Sequence, residues 1–213
     1  MFKTPDISHL KAEDYDHVYE PAEDTFLLLD ALEKDNAFIQ KTRPTLCVEV
    51  GCGSGTVTTF LSKLLGNSAQ CIGTDLNGFA TSTTKRTAIQ NSASVEIVQM
   101  DLVNSFLPRL CGQVDLILFN PPYVVTPSEE VGVGGITASW AGGIHGMEVT
   151  NRFLPIVPKL LSQEGAFYLV AIKENKIGNI EEQMLSCGLI MEKILERKAG
   201  SERLAILKFT RIT

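Results

Sequence analysis

Short apolar runs alternate with amphipathic segments along most of this chain. The first run, Leu46 to Val50, ends at a cluster of glycines and is followed by apolar residues at helical spacing. Two further runs, QCIGTD (70–75) and VEIVQMD (95–101), flank a second helical pattern, and a fourth, VDLILF (114–119), ends at two prolines. Alternation of this kind predicts βαβ units, in which helices cover both faces of a parallel sheet.

Helical and strand patterns also flank this central part. YEPAEDTFLLLDAL (19–32) predicts a helix from about residue 21, because a first helical turn tolerates proline and an apolar stripe follows. After a glycine-rich, aperiodic loop (127–146), we expect a helix at about 148–161, a strand at 166–172 and a helix at about 179–187. The last runs, LIMEKILER and RLAILKFT, predict a terminal hairpin with an antiparallel edge strand.

Together these elements predict an α/β fold of the Rossmann-like class. We expect a seven-stranded, mostly parallel sheet with an antiparallel terminal hairpin strand and helices on both faces. A chain of 213 residues can bury one sizeable core but not two substantial ones. We therefore expect a single domain over residues 19–213, preceded by a flexible segment over residues 1–18.

Composition and charge narrow the classes of protein that the sequence fits. The hydrophobic fraction of 44% is that of a globular protein, and no apolar run approaches the roughly 20 residues of a membrane span. The polar N-terminus offers no signal-peptide core, which predicts a cytosolic, or cytosolic and nuclear, protein. A net charge of −6 disfavours sequence-independent binding of nucleic acid and suits a protein substrate or partner.

The cysteines predict neither disulfides nor a metal site. They are odd in number, widely scattered and free of CxxC or histidine spacing, and we interpret them as reduced core thiols: Cys47, Cys52, Cys71, Cys111 and Cys187.

The segment EVGCGSG (49–55) indicates a ligand-binding turn between a strand and a helix. Its glycines let the backbone turn sharply and let a ligand approach where a side chain would block it. The GxGxG spacing of Gly51, Gly53 and Gly55, with Glu49 two residues before it, resembles that of class I S-adenosylmethionine-dependent methyltransferases. This resemblance implies that Glu49 holds the amino group of the methionine moiety or the water molecules around it.

Two more acidic residues lie where the next two strands are expected to end. Asp75 can accept both ribose hydroxyl hydrogens of an adenosyl group. Asp101 can accept from the exocyclic amine of adenine, and Leu102 can offer its backbone amide and packing to the base. Any one carboxylate could instead be a helix cap or a solvated turn, but all three beside a glycine loop favour a cofactor site.

The tetrapeptide NPPY (120–123) follows the fourth strand and indicates an acceptor site. Pro121 and Pro122 stiffen the turn and lack amide donors, while the side-chain oxygen of Asn120 and the carbonyl of Pro121 can each accept one N–H. Tyr123 can stack on a planar group. This arrangement suits an NH₂ group on an sp² carbon, whose nitrogen becomes a better nucleophile when its hydrogens are drawn away.

These motifs occur together with others along the chain. They are EPAEDT (20–25), EVGCGSG, Asp75, Asp101 and FNPPYVVTP (119–127), followed by WAGG (140–143) and YLVAIKEN (168–175). Together they resemble the eukaryotic and archaeal glutamine methyltransferases of peptide-chain release factors, relatives of the bacterial HemK-type enzymes. The resemblance runs from about residue 19 to the C-terminus.

The resemblance implies a substrate, a set of cofactor contacts and a partner. The acceptor would be the glutamine of the GGQ tripeptide in a release factor. The residues that line S-adenosylmethionine would be Thr25, Glu49, Gly51, Asp75, Asp101, Leu102 and Asn120. A small zinc-binding activator subunit would cover an apolar edge of the sheet near the third strand, and the zinc would belong to that subunit.

Several alternatives stay open at this point. The NPPY turn would serve an adenine amine of DNA or RNA equally well, although no basic groove is apparent. Some members of the family are linked to histone lysine methylation, and a scaffold without catalytic activity could keep the same fold. In the 127–146 loop, Trp140 is expected to anchor the loop rather than act as a lid, and His145 is assigned no catalytic role.

Overall fold

Seven strands form one sheet in the part of the chain that the structure, a computed structural model, describes, namely residues 2–107 and 109–212. The strands are β1 (Leu46–Val50), β2 (Gln70–Asp75), β3 (Val95–Gln99), β4 (Val114–Phe119), β5 (Leu161–Ile172), β6 (Leu189–Ala199) and β7 (Glu202–Arg211). The helices are α1 (Ala12–Tyr15), α2 (Glu23–Lys34), α3 (Asn36–Thr42), α4 (Thr56–Leu65), α5 (Gly78–Gln90), α6 (Glu148–Phe153), α7 (Val157–Leu160) and α8 (Ile177–Ser186).

The strand order is β3-β2-β1-β4-β5-β7-β6. The first five of these strands are parallel, whereas β7 pairs antiparallel with both β5 and β6. The predicted fold class is therefore confirmed, including the antiparallel terminal hairpin. Strand order reverses between β1 and β4, and in open α/β sheets ligands bind beyond the carboxyl ends of the strands at such a point.

Helices cover both faces of the sheet because its central strands are apolar on both sides. Along β4, Leu116 and Leu118 pack into one core with α2 and α4, while Ile117 and Phe119 pack into a second core with α6, α7 and α8. All four side chains are fully or almost fully buried. Burial on both faces explains why residues 116–119 of this strand form a continuous apolar run rather than an alternating one.

Residues 2–18, for which the sequence predicts flexibility, lie against α5. The backbone N–H of Asp6 donates to the side chain of Asn91 at 2.7 Å, and Asp14 forms an ion pair with Arg86. Val18 is buried. The flexibility of this segment stays a prediction.

The helix expected at 148–161 is wrong in its extent. The structure has two shorter helices, α6 and α7, and β5 already begins at Leu161. Pro155 lies between the two helices, and a proline in a helix interior both removes a hydrogen bond and clashes with the preceding turn.

The segment 127–146 is more ordered than the expected aperiodic loop. It contains three short 3-10 turns, over 128–130, 136–139 and 144–146, and a β-bridge joins Ala141 to Val124. Glycines at positive φ, which give no helical or strand periodicity, allow these turns.

Cysteine burial differs in part from expectation. Cys47, Cys52 and Cys71 are buried free thiols, but Cys111 and Cys187 are exposed, so their assignment to the core is wrong. Both lie in polar connections, where apolar neighbours in sequence do not imply burial. Among the described residues there is no cluster of three or more metal-ligating side chains. No described helix is long and apolar enough to cross a membrane.

Candidate active site

The glycine loop joins β1 to α4 at the centre of the carboxyl edge of the sheet. The backbone N–H groups of Gly51 and Cys52 both donate to the carbonyl of Thr74 at the end of β2, at 2.8 and 2.9 Å. Gly55 has a φ of 79°, and a Cβ there would lie 2.6 Å from the Cα of Thr84 in α5. At Gly53, by contrast, a Cβ would meet no atom within 4 Å. The loop is thus tight on its helix side and open toward the space beyond the strands.

Glu49 is a buried acid at the end of β1. Only 3% of the residue is exposed, and its carboxylate accepts a hydrogen bond from the hydroxyl of Thr58. Burial raises the pKa of Glu49 well above its usual range. A carboxylate that lacks water in this way is suited to a cationic ligand group such as an ammonium, which would restore the charged form.

Asp75 lies at the end of β2, where backbone amides fix its orientation. One carboxylate oxygen accepts from the N–H of Gly53 at 3.0 Å and the other from the N–H of Asn77 at 2.9 Å. Burial raises the pKa of this carboxyl group. Since each carboxylate oxygen can accept more than one hydrogen bond, acceptor capacity remains for a pair of hydroxyl groups.

Asp101 lies two residues beyond the end of β3, and not within the strand as expected. Its carboxylate pairs with Arg152 of α6 and accepts from the side-chain amide of Asn104 at 3.3 Å. The next residue, Leu102, is 8% exposed and has a φ of 51°, an uncommon conformation for a side chain that branches. Strained backbone of this kind clusters at ligand sites and is consistent with a role of Leu102 in binding.

Asn120 follows β4 directly and faces Asp24 of α2. Its side-chain nitrogen donates to Oδ2 of Asp24 at 3.0 Å. Its side-chain oxygen is buried and, among the described residues, has no hydrogen-bond partner. A buried acceptor without a donor costs free energy, so the position is suited to a ligand N–H.

Tyr123 also binds Asp24, through a 3.1 Å hydrogen bond from its hydroxyl. The residue is 8% exposed, and burial raises the pKa of its hydroxyl group. The ring packs into the core beneath α2 and also contributes to the wall of the cavity. Its stacking on a planar acceptor group stays a prediction.

The loop that follows NPPY is held by the 127–146 segment and by Asn175. Val124 exchanges hydrogen bonds with the backbone of Trp140 and Gly142, at 3.1 and 2.8 Å. The side-chain amide of Asn175, in the 3-10 turn that follows β5, donates to the carbonyls of Tyr123 and His145 at 2.9 and 2.8 Å. Trp140 is half-buried and lines the cavity. His145 is exposed and lies outside that cavity.

One cavity of about 490 Å³ connects these features. This volume lies within the range of about 300–1,000 Å³ that is usual for small-molecule sites. Every site residue proposed from the sequence lines it: Thr25, Glu49, Gly51, Gly53, Asp75, Asp101, Leu102, Asn120, Pro121, Pro122 and Tyr123.

Several wall residues escaped the sequence analysis. They are His17, Tyr19, Asp24, Arg152 and Glu202. Asp24 could have been found, since it precedes Thr25 in EPAEDT. Glu202 could not, because it begins the last strand and reaches the cavity only through the packing of the hairpin.

Known proteins resemble this chain in sequence and in fold. Residues 22–135, more than half of the chain, match the family described as the methyltransferase small domain. The chain belongs to that family. This methyltransferase is 50% identical over 210 residues to methyltransferase HEMK2 of Homo sapiens, with 99% of the chain and 97% of the human protein covered.

Two further relatives carry names that state their substrates. The eRF1 methyltransferase catalytic subunit mtq2 of Schizosaccharomyces pombe is 40% identical, over 100% of this chain and 97% of its own length. The solved structure of the E. cuniculi Mtq2–Trm112 complex, which is responsible for the methylation of the eRF1 translation termination factor, matches with a TM-score of 0.68 and 27% identity. That match covers 92% of this chain and 99% of the other.

The methyltransferase uses S-adenosylmethionine, and its cavity fits that cofactor. Three carboxylates line the cavity along the edge from β1 to β3. They are hydrogen-bond acceptors, and the cofactor carries donors to match them: one ammonium, two ribose hydroxyls and one adenine amine. Gly51 and Gly53 leave the approach open because a Cβ at either would meet no atom closer than 3.9 Å. The individual roles expected for Thr25, Glu49, Asp75, Asp101 and Leu102 stay predictions.

Proposed function

We propose that this methyltransferase modifies the side-chain amide nitrogen of a glutamine in a peptide-chain release factor, within its GGQ tripeptide. The observation that carries the proposal is the buried, unpaired side-chain oxygen of Asn120 at the acceptor end of the cavity. Two relatives whose names state that they methylate eRF1 support the choice of substrate. The product would bear one methyl group on the glutamine nitrogen.

Asn120 and Pro121 would bind the two hydrogens of the acceptor NH₂. The side-chain oxygen of Asn120 accepts one N–H and the carbonyl of Pro121 accepts the other. Pro121 and Pro122 have no N–H of their own, so no donor of the turn competes for the acceptor. The amide plane is then fixed, and the nitrogen lone pair points toward the cofactor end of the cavity.

The two hydrogen bonds from the acceptor NH₂ would raise the electron density of its nitrogen, which is otherwise a weak nucleophile. Bound S-adenosylmethionine supplies an electrophilic methyl group on a sulfonium. The residues of this chain bring the nitrogen to roughly 3–3.5 Å from its target and keep water from the site. As the N–CH₃ bond formed, the S–CH₃ bond would break, S-adenosyl-L-homocysteine would leave as the second product, and one proton of the amide nitrogen would be released to solvent.

A lysine acceptor is the second candidate, and Glu202 favours it. Its side chain lines the same cavity and lies near enough to Asp24 and Glu174 to be affected by their charge. Burial first, and these carboxylates second, raise its pKa. A cation could occupy this end of the site, but an ammonium must lose a proton before it attacks. Histone tails are therefore included in the test below.

The exposed edge of β3 supports the proposal of a small zinc-binding activator as partner. Next to this edge, large apolar side chains are exposed on the β2–α5 connection and on α5: Leu76 (63%), Phe79 (59%) and Ile89 (69%). Large apolar side chains exposed beside an open strand edge favour an interaction surface there. We propose that the complex acts in the cytosol, or in the cytosol and nucleus, where release factors are found.

The proposal is tested with the chain co-expressed with its small activator subunit. Transfer of a labelled methyl group is measured to wild-type release factor, to a variant with GGQ changed to GGA, to histones and to duplex DNA. We expect label only on the wild-type factor. Asn120→Ala removes the side-chain acceptor and should lower kcat by about 100-fold, the usual effect of losing one pre-organised polar contact to the reacting group.

The opposite results are equally informative. Label on histones alone would assign the site to lysine, and label on DNA alone would assign it to an adenine amine. Cofactor binding without transfer to any of the four substrates would support a scaffold. Each of these outcomes overturns the glutamine assignment.

A further inference from the structure

Asp24, in the first turn of α2, is a buried carboxylate surrounded by donors. It is 3% exposed. Its Oδ2 accepts from the side-chain nitrogen of Asn120 at 3.0 Å and from the hydroxyl of Tyr123 at 3.1 Å. Its Oδ1 accepts from the N–H of Thr25 at 2.7 Å, with the hydroxyl of Tyr19 at 3.5 Å. An ionised carboxylate can only accept, so every neighbour must turn a donor toward it.

This arrangement decides the orientation of the Asn120 amide. An asparagine side chain has a donor end and an acceptor end that differ little in shape. If the amide were rotated by half a turn, its oxygen would lie about 3 Å from Oδ2 of Asp24, and two acceptors would face each other. The observed orientation therefore leaves the side-chain oxygen turned away from Asp24, buried and without a partner among the described residues.

We infer that Asp24 is a positioning residue that orients the amide of Asn120 so that its oxygen, and not its nitrogen, meets the acceptor NH₂. The inference rests on the proposed function, because only an N–H-bearing acceptor needs an oxygen at this point. Without the carboxylate, the amide would be free to present its own NH₂, and two donors would then face each other. Asp24 acts through Asn120, since its own oxygens are already engaged by protein donors.

Asp24→Asn tests this role with little change in shape. The new side chain has only one oxygen, which can accept from the N–H of Thr25, and its NH₂ then faces Asn120 and Tyr123, so it no longer holds the nitrogen end of Asn120 toward it. We expect kcat for the release factor to fall by about 10- to 100-fold, while KM and the cofactor Kd stay within about twofold of the wild type. The control is Asp30→Asn, the same substitution in the same helix, at an exposed residue that pairs with Arg197 outside the cavity.

A spectroscopic signal reports the orientation without catalysis. In protein labelled with ¹⁵N-asparagine, the side-chain NH₂ signals of Asn120 are identified by their loss in Asn120→Asp. A hydrogen bond to a carboxylate shifts one of the two protons strongly, and we expect this shift to disappear in Asp24→Asn and to persist in Asp30→Asn.

Exchange of the two residues gives the strictest test. Asn120→Asp alone sets two carboxylates against each other, which is unfavourable. In the double variant Asp24→Asn/Asn120→Asp, the donor and the acceptor change places, and an acceptor oxygen still faces the substrate. We expect the double variant to recover at least about tenfold of kcat over Asn120→Asp.

Three results would overturn the inference: wild-type kcat in a folded Asp24→Asn variant, equal losses of kcat and cofactor affinity in that variant, or no recovery in the double variant. If the wild-type enzyme itself fails to methylate the release factor, the proposed function is wrong. The Asn120 signals then still decide whether Asp24 sets the amide orientation.

Discussion

Individual residues at the carboxyl edge combine burial with incomplete hydrogen bonding. Glu49 and Asp75 are acids whose pKa values burial raises, and Asn120 has an acceptor oxygen without a donor. In each case a ligand group could supply what the free protein lacks. Groups that are unfavourable in the folded chain alone are common at functional sites, because ligand binding relieves the cost.

Glu49→Gln should make the free protein more stable and the cofactor bind more weakly. The pKa of Glu49 is higher in the folded protein than in an unfolded chain, where a glutamate has a pKa of about 4.3. Protonated Glu49 therefore favours the folded state, and this contribution to stability is fully present below about pH 4.3. It is lost as pH rises through the folded-state pKa. At neutral pH the variant should therefore melt higher, and a gain of about 2–4 °C would correspond to about 1 kcal/mol.

The two readouts are thermal melting at several pH values and calorimetric titration of the cofactor. The difference in Tm should grow from acidic to neutral pH, and the cofactor Kd should rise by at least about tenfold because an ammonium loses its carboxylate. A variant that binds the cofactor as tightly as the wild type would show that Glu49 does not hold the amino group.

Tyr123→Phe distinguishes the role of the Tyr123 hydroxyl from the role of its ring. The change removes one donor from buried Asp24, which keeps its bond from Asn120, and should lower stability by about 1 kcal/mol. If the ring stacks on the acceptor, Phe should retain most of kcat/KM and Tyr123→Ala should lose it. Equal losses in both variants, measured with the same release factor, would assign the function to the hydroxyl.

The sequence motifs predicted which residues form the site, but they did not predict the contacts that surround each residue. The spacing of glycines, acids and NPPY placed ten of the eleven predicted residues in one cavity, because each of these ten ends or follows a parallel strand and such ends lie at one edge. The eleventh, Thr25, lies in α2. The pairing of Asp101 with Arg152 and of Asn120 with Asp24 depends on contacts between elements that are distant in sequence. The spacing of apolar residues along the sequence does not predict such contacts.

Among the elements, the connection from β4 to α6 depends most on tertiary contacts. It is held by the bridge between Val124 and Ala141 and by the side chain of Asn175, which lies in the turn after β5. Gly146 permits this packing: its φ is 66°, and a Cβ there would clash with the carbonyl oxygen of Tyr123. The sequence showed the glycines of this segment but not the carbonyl that makes one of them necessary.

Gly146→Ala should destabilise the enzyme far more than Gly132→Ala. Both glycines have positive φ, which costs a side chain about 1–2 kcal/mol. At Gly132 a Cβ meets no atom within 4 Å, whereas at Gly146 it also displaces the NPPY turn, which should add about 1–3 kcal/mol. Chemical unfolding of both variants measures the difference. Similar losses would mean that the loop moves to accommodate the methyl group.

At the scale of the whole molecule, the strand order brings two halves of the chain to one edge. Thr25, Glu49, Asp75 and Asp101 come from elements before β4, while Asn120 to Tyr123 come directly after it. The sheet order follows from the alternation of strand and helix patterns, which is why the fold class could be predicted. The position of Glu202 could not, since it requires the hairpin of β6 and β7 to fold back beside α2.

The most direct test of the account is to locate the methyl group itself. Release factor treated with the co-expressed complex and S-adenosylmethionine is digested, and the peptide that contains GGQ is fragmented in a mass spectrometer. We expect the added mass of one methyl group on the glutamine side chain, with none in the Asn120→Ala reaction. A methyl group found on a lysine or on another residue of the factor, and not on this glutamine, would contradict it.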